Sequence, residues 1–126
     1  MQIGTGTLEG RGIYNVTGRF TLTQGADGRI LFETDDKFRF DDGTGRGTPA
    51  PGFALFIGDP TGLPNAVVGP IAKSTDFLRL TPDVAVRGRQ SGVLLPGTSL
   101  WDYDTLFLWC YRFPTVLGVG AIVLEE

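Results

Sequence analysis

"DTLFLWCYRF" (residues 104–113) and "TVLGVGAIVL" (residues 115–124) are the two longest apolar runs of the chain, and they decide its fold. Pro114 separates them. Because proline cannot donate a ladder hydrogen bond, it predicts a turn or a sheet edge at this point. Strands with apolar residues on both faces are typical of the interior of a sheet. We therefore expect the two closing strands to lie inside a sheet rather than at its edge.

Earlier segments show the two-residue apolar alternation of strands with one buried face. In residues 19–34 this pattern breaks at Ala26-Asp27-Gly28, a turn signal, and then resumes, which predicts a hairpin. "FALFIG" (residues 53–58) is apolar on both faces and predicts a central strand. The remaining strand candidates are "KFRF" (residues 37–40) and the weaker segments 77–80, 84–87 and 92–95.

Length and composition favour one β-structured domain over residues 1–126, with 19 glycines and 8 prolines punctuating short strands. No 3.6-residue apolar period persists beyond two turns, so residues 41–52 and 59–70 are interpreted as loops. The predicted fold is all-β, an antiparallel sandwich or a barrel-like sandwich. Its core is expected to contain Phe20, Phe32, Phe56, Phe107, Trp109 and Val123.

The charge and hydropathy patterns bear on the binding partners and the location of the protein. The net charge is −3, and the 11 Lys and Arg residues are spread singly, so nucleic-acid binding is not expected. No apolar run reaches the roughly 18 residues of a membrane span. "MQIGTGTLEG" at the N-terminus lacks the pattern of a signal peptide. We expect a cytoplasmic protein, or a periplasmic or extracellular one if a leader was removed.

The chain has one cysteine and no histidine. An internal disulfide, a multi-cysteine metal site and a histidine-ligated zinc or haem are therefore excluded, as is Ser-His-Asp catalysis. We predict no metal site.

Cys110 lies in a predicted strand, and alternation places Leu106, Leu108 and Arg112 on its face. Two interpretations stay open. The cysteine is a small buried hydrophobe, or it is a thiolate favoured by the guanidinium of Arg112 at roughly 7 Å along the strand.

The acidic residues and the glycines are interpreted as structural residues rather than as parts of a functional site. The pairs Asp35-Asp36 and Asp41-Asp42 lack the spacing of a calcium loop and are interpreted as solvated turn carboxylates. Asp102 and Asp104 share one face of "LWDYDT", so an acid and base pair is conceivable. No other feature supports it, and the two residues are interpreted as the polar start of the next strand. No phosphate-binding pattern occurs, so the glycines are interpreted as turn residues.

Residues 103–124 resemble the closing motif of the DM13 family. In that motif a Tyr begins a strand that ends in Trp-Cys, followed by a basic residue, Phe and a Gly-containing final strand. The matching positions are Tyr103, Trp109, Cys110, Arg112, Phe113 and Gly118. "NVTGRFTL", "APGFALFIG" and "GRQSGVLLP" are similar to upstream parts of the family. The likeness spans most of the chain, and its specific part is the Trp-Cys motif.

This resemblance implies an electron-transfer module in which Cys110 is the redox-active group, Arg112 assists it, and a redox protein is the partner. DM13 domains resemble in role the haem-binding DOMON modules that accompany them. The resemblance also implies Trp109, Tyr103 and Tyr111 as contacts of a cofactor, a haem or a flavin. Without histidine, a haem is left with Cys110 or a tyrosine as ligand, and a flavin with an apolar, noncovalent pocket.

Three function classes stay open from the sequence. The first is a redox module that uses Cys110. The second is a non-catalytic β-sandwich that binds a ligand or a protein and in which the cysteine is structural. The third is a hydrolase that uses Asp102 and Asp104.

Overall fold

The computed structural model describes residues 1–42, 44, 51–80, 86–111 and 114–125. About half of them lie in strands, and one α-helix and one short 3-10 helix interrupt the strand order. The strands are β1 (Gln2–Thr7), β2 (Glu9–Gly10), β3 (Asn15–Thr17), β4 (Arg19–Gln24), β5 (Ile30–Thr34), β6 (Arg39–Asp41), β7 (Pro51–Phe56), β8 (Leu78–Arg79), β9 (Val86–Arg87), β10 (Ser91–Val93), β11 (Thr105–Cys110), β12 (Thr115–Ala121) and β13 (Val123–Leu124). The helices are α1 (Asn65–Thr75) and the 3-10 helix η1 (Leu100–Asp102).

Three antiparallel sheets pack together, which confirms the predicted all-β sandwich. Sheet A has the order β10-β5-β4-β1-β13, sheet B the order β2-β12-β11-β7-β8, and sheet C the order β3-β6-β9. The predicted hairpin is the β4–β5 pair, with Phe20 opposite Thr34 and Gln24 opposite Ile30. In sheet B, β11 lies between β7 and β12, and β12 lies between β11 and β2, so the expected interior position is confirmed for these two strands. The end of the second closing run forms β13, which lies at the edge of sheet A.

The main core lies between the sheets and is rich in phenylalanine. The ring centroid of Phe32 lies 5.0 Å from that of Phe53, which joins sheet A to sheet B. Of the predicted core residues, Phe20, Phe32, Phe56, Phe107 and Trp109 are buried. Val123 is 64% exposed, so its assignment to the core was wrong. The strand β13 has only two residues at the edge of sheet A, and alternation turns Val123 outward while Ile122 is buried.

Helix α1 corrects the interpretation of residues 59–70 as a loop. It covers the outer face of sheet B, where Val68 and Ala72 pack in one cluster with Phe107 and Trp109. Gly69 and Pro70 are typical of turns, and they interrupt the narrow apolar stripe of this segment, so the sequence pattern did not predict a helix. Burial of the stripe against the sheet stabilises the helix.

Asp41 corrects the interpretation of the paired aspartates as solvated. Its side chain is fully buried at the end of β6. Arg39 Nε lies 2.6 Å from Asp41 Oδ2, and Asn15 Nδ2 donates to Asp41 Oδ1 at 3.0 Å. The pairing of β3 with β6 places Asn15 opposite Asp41, so the carboxylate is buried with partners that the linear sequence separates.

Some glycines are strand residues rather than turn residues. Gly6 lies in β1 and Gly120 in β12, and a Cβ atom at either position would collide with the ring of Phe20. Glycine is therefore required where β1 and β12 approach each other closely.

Candidate functional site

Cys110 ends strand β11 and is 1% exposed. Its side chain belongs to the main core together with Leu106 and Leu108, as the alternation predicted. Tyr14 packs against the same cluster, and its pKa is raised by burial and then by the negative charge of an ionised Cys110. Arg112, the predicted activating cation, lies outside the described residues. The thiol is therefore enclosed by the apolar interior on the side that faces sheets A and C.

Trp109 and Tyr111 lie on the opposite face of sheet B, beneath helix α1. Trp109 is 2% exposed, and its ring meets that of Phe107 edge-on at a centroid distance of 6.1 Å. The hydroxyl of Tyr111 donates to the carbonyl oxygen of Ala72 at 2.9 Å. These two aromatic residues therefore join the helix to the sheet, and the body of the sheet separates them from the Cys110 side chain.

Tyr103 lies elsewhere again, between η1 and β11, half-buried against the main core. The residues that the resemblance implied for one cofactor site are thus divided between three environments. The structure brings Trp109 and Tyr111 together, and it separates them from Cys110 and from Tyr103.

The other prominent feature is an exposed aromatic surface, of which the sequence analysis singled out Asp102, Tyr103 and Asp104 but not Trp101 or Ile57. Trp101 is 79% exposed, and Ile57, directly after β7, is 70% exposed. Together with Asp102, Tyr103 and Asp104 they line an open cavity of about 520 Å³, and we call these five residues the Trp101 surface.

A second cavity, of about 420 Å³, also has Trp101 in its wall, beside Leu100, Thr98 and Glu125. Trp101 therefore borders both cavities. A further cavity of about 560 Å³ at the β4–β5 turn is bordered by Val93 and Leu95 and contains no aromatic ring in its wall.

The backbone under Trp101 is fixed rather than loose. Leu100, the first residue of η1, is buried and anchors the turn. The backbone N–H of Tyr103 donates to the Leu100 carbonyl at 3.1 Å, and the N–H of Asp102 donates to the Ser99 carbonyl at 3.1 Å. This tight turn directs Leu100 inward and leaves Trp101 in solvent.

Asp104 ties the same segment to the end of β7. Its Oδ1 atom accepts hydrogen bonds from the Gly58 backbone N–H at 2.6 Å and from Thr105 Oγ1 at 2.9 Å. The Gly58 N–H is the main cause of the lowered pKa of Asp104, so the carboxylate is ionised at neutral pH. Asp102 belongs to η1 rather than to a strand, so the two carboxylates do not share a strand face as expected.

No metal site and no membrane-spanning helix was found in the part of the chain that the structure describes. The described Cys, Asp and Glu side chains form no group of three or more placed to hold a metal ion. Among the described residues, no helix is long and apolar enough to cross a membrane.

The class of this protein is defined by its fold, an antiparallel β-sandwich with one helix on an outer face. No protein-family model, no curated protein and no solved structure matches the chain. The relation to DM13 domains therefore stays a prediction that rests on the Trp-Cys motif.

The sequence did not predict the exposure of Trp101, because residue type alone does not determine whether a side chain is buried. Trp101 and Trp109 both lie in aromatic-rich sequence, yet they differ in exposure, 79% against 2%. One signal was present: Asp102 and Asp104 interrupt the apolar pattern around Trp101, whereas no charged residue interrupts residues 105–111.

Proposed function

We propose that the protein is a non-catalytic binding domain that recognises a ligand or a partner protein through its exposed surface, with Cys110 as a core residue. One contrast carries this proposal. The only cysteine is 1% exposed, whereas Trp101 is 79% exposed on a fixed turn. Thiol chemistry requires an accessible sulfur, and exposed tryptophans are enriched among the residues that dominate binding energies.

The surroundings of Trp101 support a binding role. Ile57 extends the apolar area, while Asp102 and Asp104 supply polar groups at its rim. Apolar area rimmed by polar groups is the usual composition of a recognition surface. The turn that carries Trp101 is held by backbone hydrogen bonds, so little conformational entropy is lost when a partner binds.

The accessibility of Cys110 tests this proposal. In the native protein, iodoacetamide should label the thiol at least about 100-fold more slowly than in denaturant, because reaction then requires opening of the core. Mass spectrometry of timed samples gives both rates, and Cys110→Ala serves as the unlabelled control. Rapid labelling of the native protein at neutral pH would contradict a purely structural role for Cys110.

A redox module is the second candidate, and the resemblance at Trp109 and Cys110 is what favours it. Both residues lie on the central strand β11 of sheet B, adjacent as in the motif. This function needs either a route to the buried sulfur or a bound cofactor. The absorbance spectrum of the natively purified protein separates the two candidates, since a haem or flavin gives a visible band that the apolypeptide lacks.

A further inference from the structure

We propose that the Trp101 surface binds a cationic side chain, lysine or arginine, from a basic segment of a partner protein. This inference rests on the proposed binding function and specifies the chemistry of the partner. It joins three observations: an exposed indole, two neighbouring carboxylates, and a cavity wall that contains no basic residue among those described.

The indole and the carboxylates favour the same kind of ligand. The face of a tryptophan ring attracts a cation through its quadrupole, more strongly than the face of tyrosine or phenylalanine. Asp102 and Asp104 line the same cavity as this ring and are exposed. The pKa of Asp104 is held low by the Gly58 N–H, so its negative charge persists at neutral pH and below.

The same charges disfavour other occupants. An acidic peptide or a phosphate would meet two carboxylates on a chain of net charge −3. A neutral sugar could stack on Trp101, but it would not benefit from the negative potential around the ring.

The shape of the surface favours a segment of protein over a small cation. The cavity is open, and Ile57 stands beside Trp101 with 70% of its area in solvent. A small ammonium ion would cover the ring and leave Ile57 exposed. A peptide with an apolar residue next to its basic one would cover both side chains, and burial of that apolar area adds affinity.

The test uses the full chain and four defined probes. The first is a blocked peptide of alternating arginine, leucine and glycine. The second carries citrulline, the neutral analogue of arginine, at the arginine positions; the third carries glutamate there; the fourth is a neutral maltooligosaccharide. Nitrogen-15-labelled protein gives one indole N–H signal for each of its two tryptophans, and Trp101→Phe assigns them.

We expect the arginine peptide to shift the Trp101 signal and to bind more weakly as salt is raised. Trp101→Leu, which keeps apolar area but removes the ring, should raise the Kd about tenfold or more, and Trp101→Phe should raise it less. Asp102→Asn should also weaken binding. Asp36→Asn is the matched control for Asp102→Asn; Asp36 is exposed and does not line this surface, so this variant should bind like the wild type. Circular dichroism verifies the fold of each variant.

Several results would overturn the inference. Equal affinity for the citrulline peptide, or unchanged affinity in Trp101→Leu, would show that charge and ring do not act together. A Trp101 shift with only the glutamate peptide or the oligosaccharide would refute a cationic partner while retaining a binding function at this surface. No response to any probe would refute the inference, and rapid thiol labelling of Cys110 would separately refute the proposed function.

Discussion

Tyr111 shows how one side chain connects two layers of the molecule. Its hydroxyl donates to the Ala72 carbonyl of helix α1, and the guanidinium of Arg79 lies 3.5 Å from its ring centroid. Arg79 in turn bonds Asp76, which follows the helix, at 2.7 Å. Burial is the main cause of the raised pKa of Tyr111, followed by the charge of Asp76, and Arg79 partly opposes them.

Replacing Tyr111 with phenylalanine should lower the free energy of unfolding by about 1 kcal/mol at pH 7, because one hydrogen bond to the helix is lost. A raised pKa in the folded state means that the neutral phenol stabilises the fold. That contribution is complete below about pH 10, where the unfolded phenol begins to ionise, and it declines as pH rises further. The difference in stability between wild type and Tyr111→Phe should therefore shrink above pH 10, as urea titrations at several pH values will measure. A constant difference would contradict this role.

At the residue scale, the sequence predicted which face of a strand each side chain occupies, but not which distant residues it contacts. Alternation correctly divided Leu106, Leu108 and Cys110 from Phe107 and Trp109, because a strand has a fixed two-residue period. The partner of Tyr111 and the burial of Asp41 could not be predicted in this way. Both depend on contacts between distant segments, helix α1 in one case and strand β3 in the other.

Helix α1 shows at the element scale how a side chain can replace a missing strand. Beside β7, the short strand β8 pairs only with Gly52 and Phe53. Farther along β7, the backbone N–H of Leu55 donates to Thr75 Oγ1 at 3.0 Å, and the same oxygen lies 3.0 Å from the Leu55 carbonyl oxygen. The last residue of the helix therefore occupies the place of a strand partner.

Thr75→Val should destabilise the protein by about 2 kcal/mol, because a buried N–H of β7 loses its acceptor while the size of the side chain is unchanged. Thr75→Ser keeps the hydroxyl and should cost about half as much or less. Urea unfolding followed by circular dichroism compares the two variants. A loss confined to Thr75→Ser, with Thr75→Val as stable as the wild type, would show that packing of the threonine methyl group, rather than its hydroxyl, holds the helix.

The helix and the Trp101 surface were both missed from the sequence for one reason. The apolar stripe of α1 has few residues and is interrupted by Gly69 and Pro70, so local propensity favours a loop. The helix forms because its apolar residues pack on the outer face of sheet B. The sequence pattern did not indicate the exposure of Trp101, which depends on the buried Leu100 that fixes the direction of the turn. In both cases tertiary packing decided what the local pattern left open.

For the whole molecule, sheets A and B approach each other closely where β1 meets β12. Gly6 of β1 faces the ring of Phe20 and the Ala121 carbonyl, and a Cβ atom built at Gly120 would lie 2.8 Å from Phe20 Cε1. Phe20 is 1% exposed, and its ring fills the space that these glycines leave. The edges of the two sheets can close over the main core because both positions lack a side chain.

Gly6→Ala should therefore lower the free energy of unfolding by about 1–3 kcal/mol, because the ring of Phe20 or the backbone of β12 must move to admit the new methyl group. Gly69→Ala is the matched control. It makes the same substitution within α1, where an added Cβ meets no atom within 4 Å, and it should raise stability by about 1 kcal/mol since alanine favours the helix. Urea titrations of both variants against wild type measure the two changes. If Gly6→Ala were neutral, the sheets would not be in close contact at this edge, and the packing of β1 on β12 would have to be looser than the structure shows.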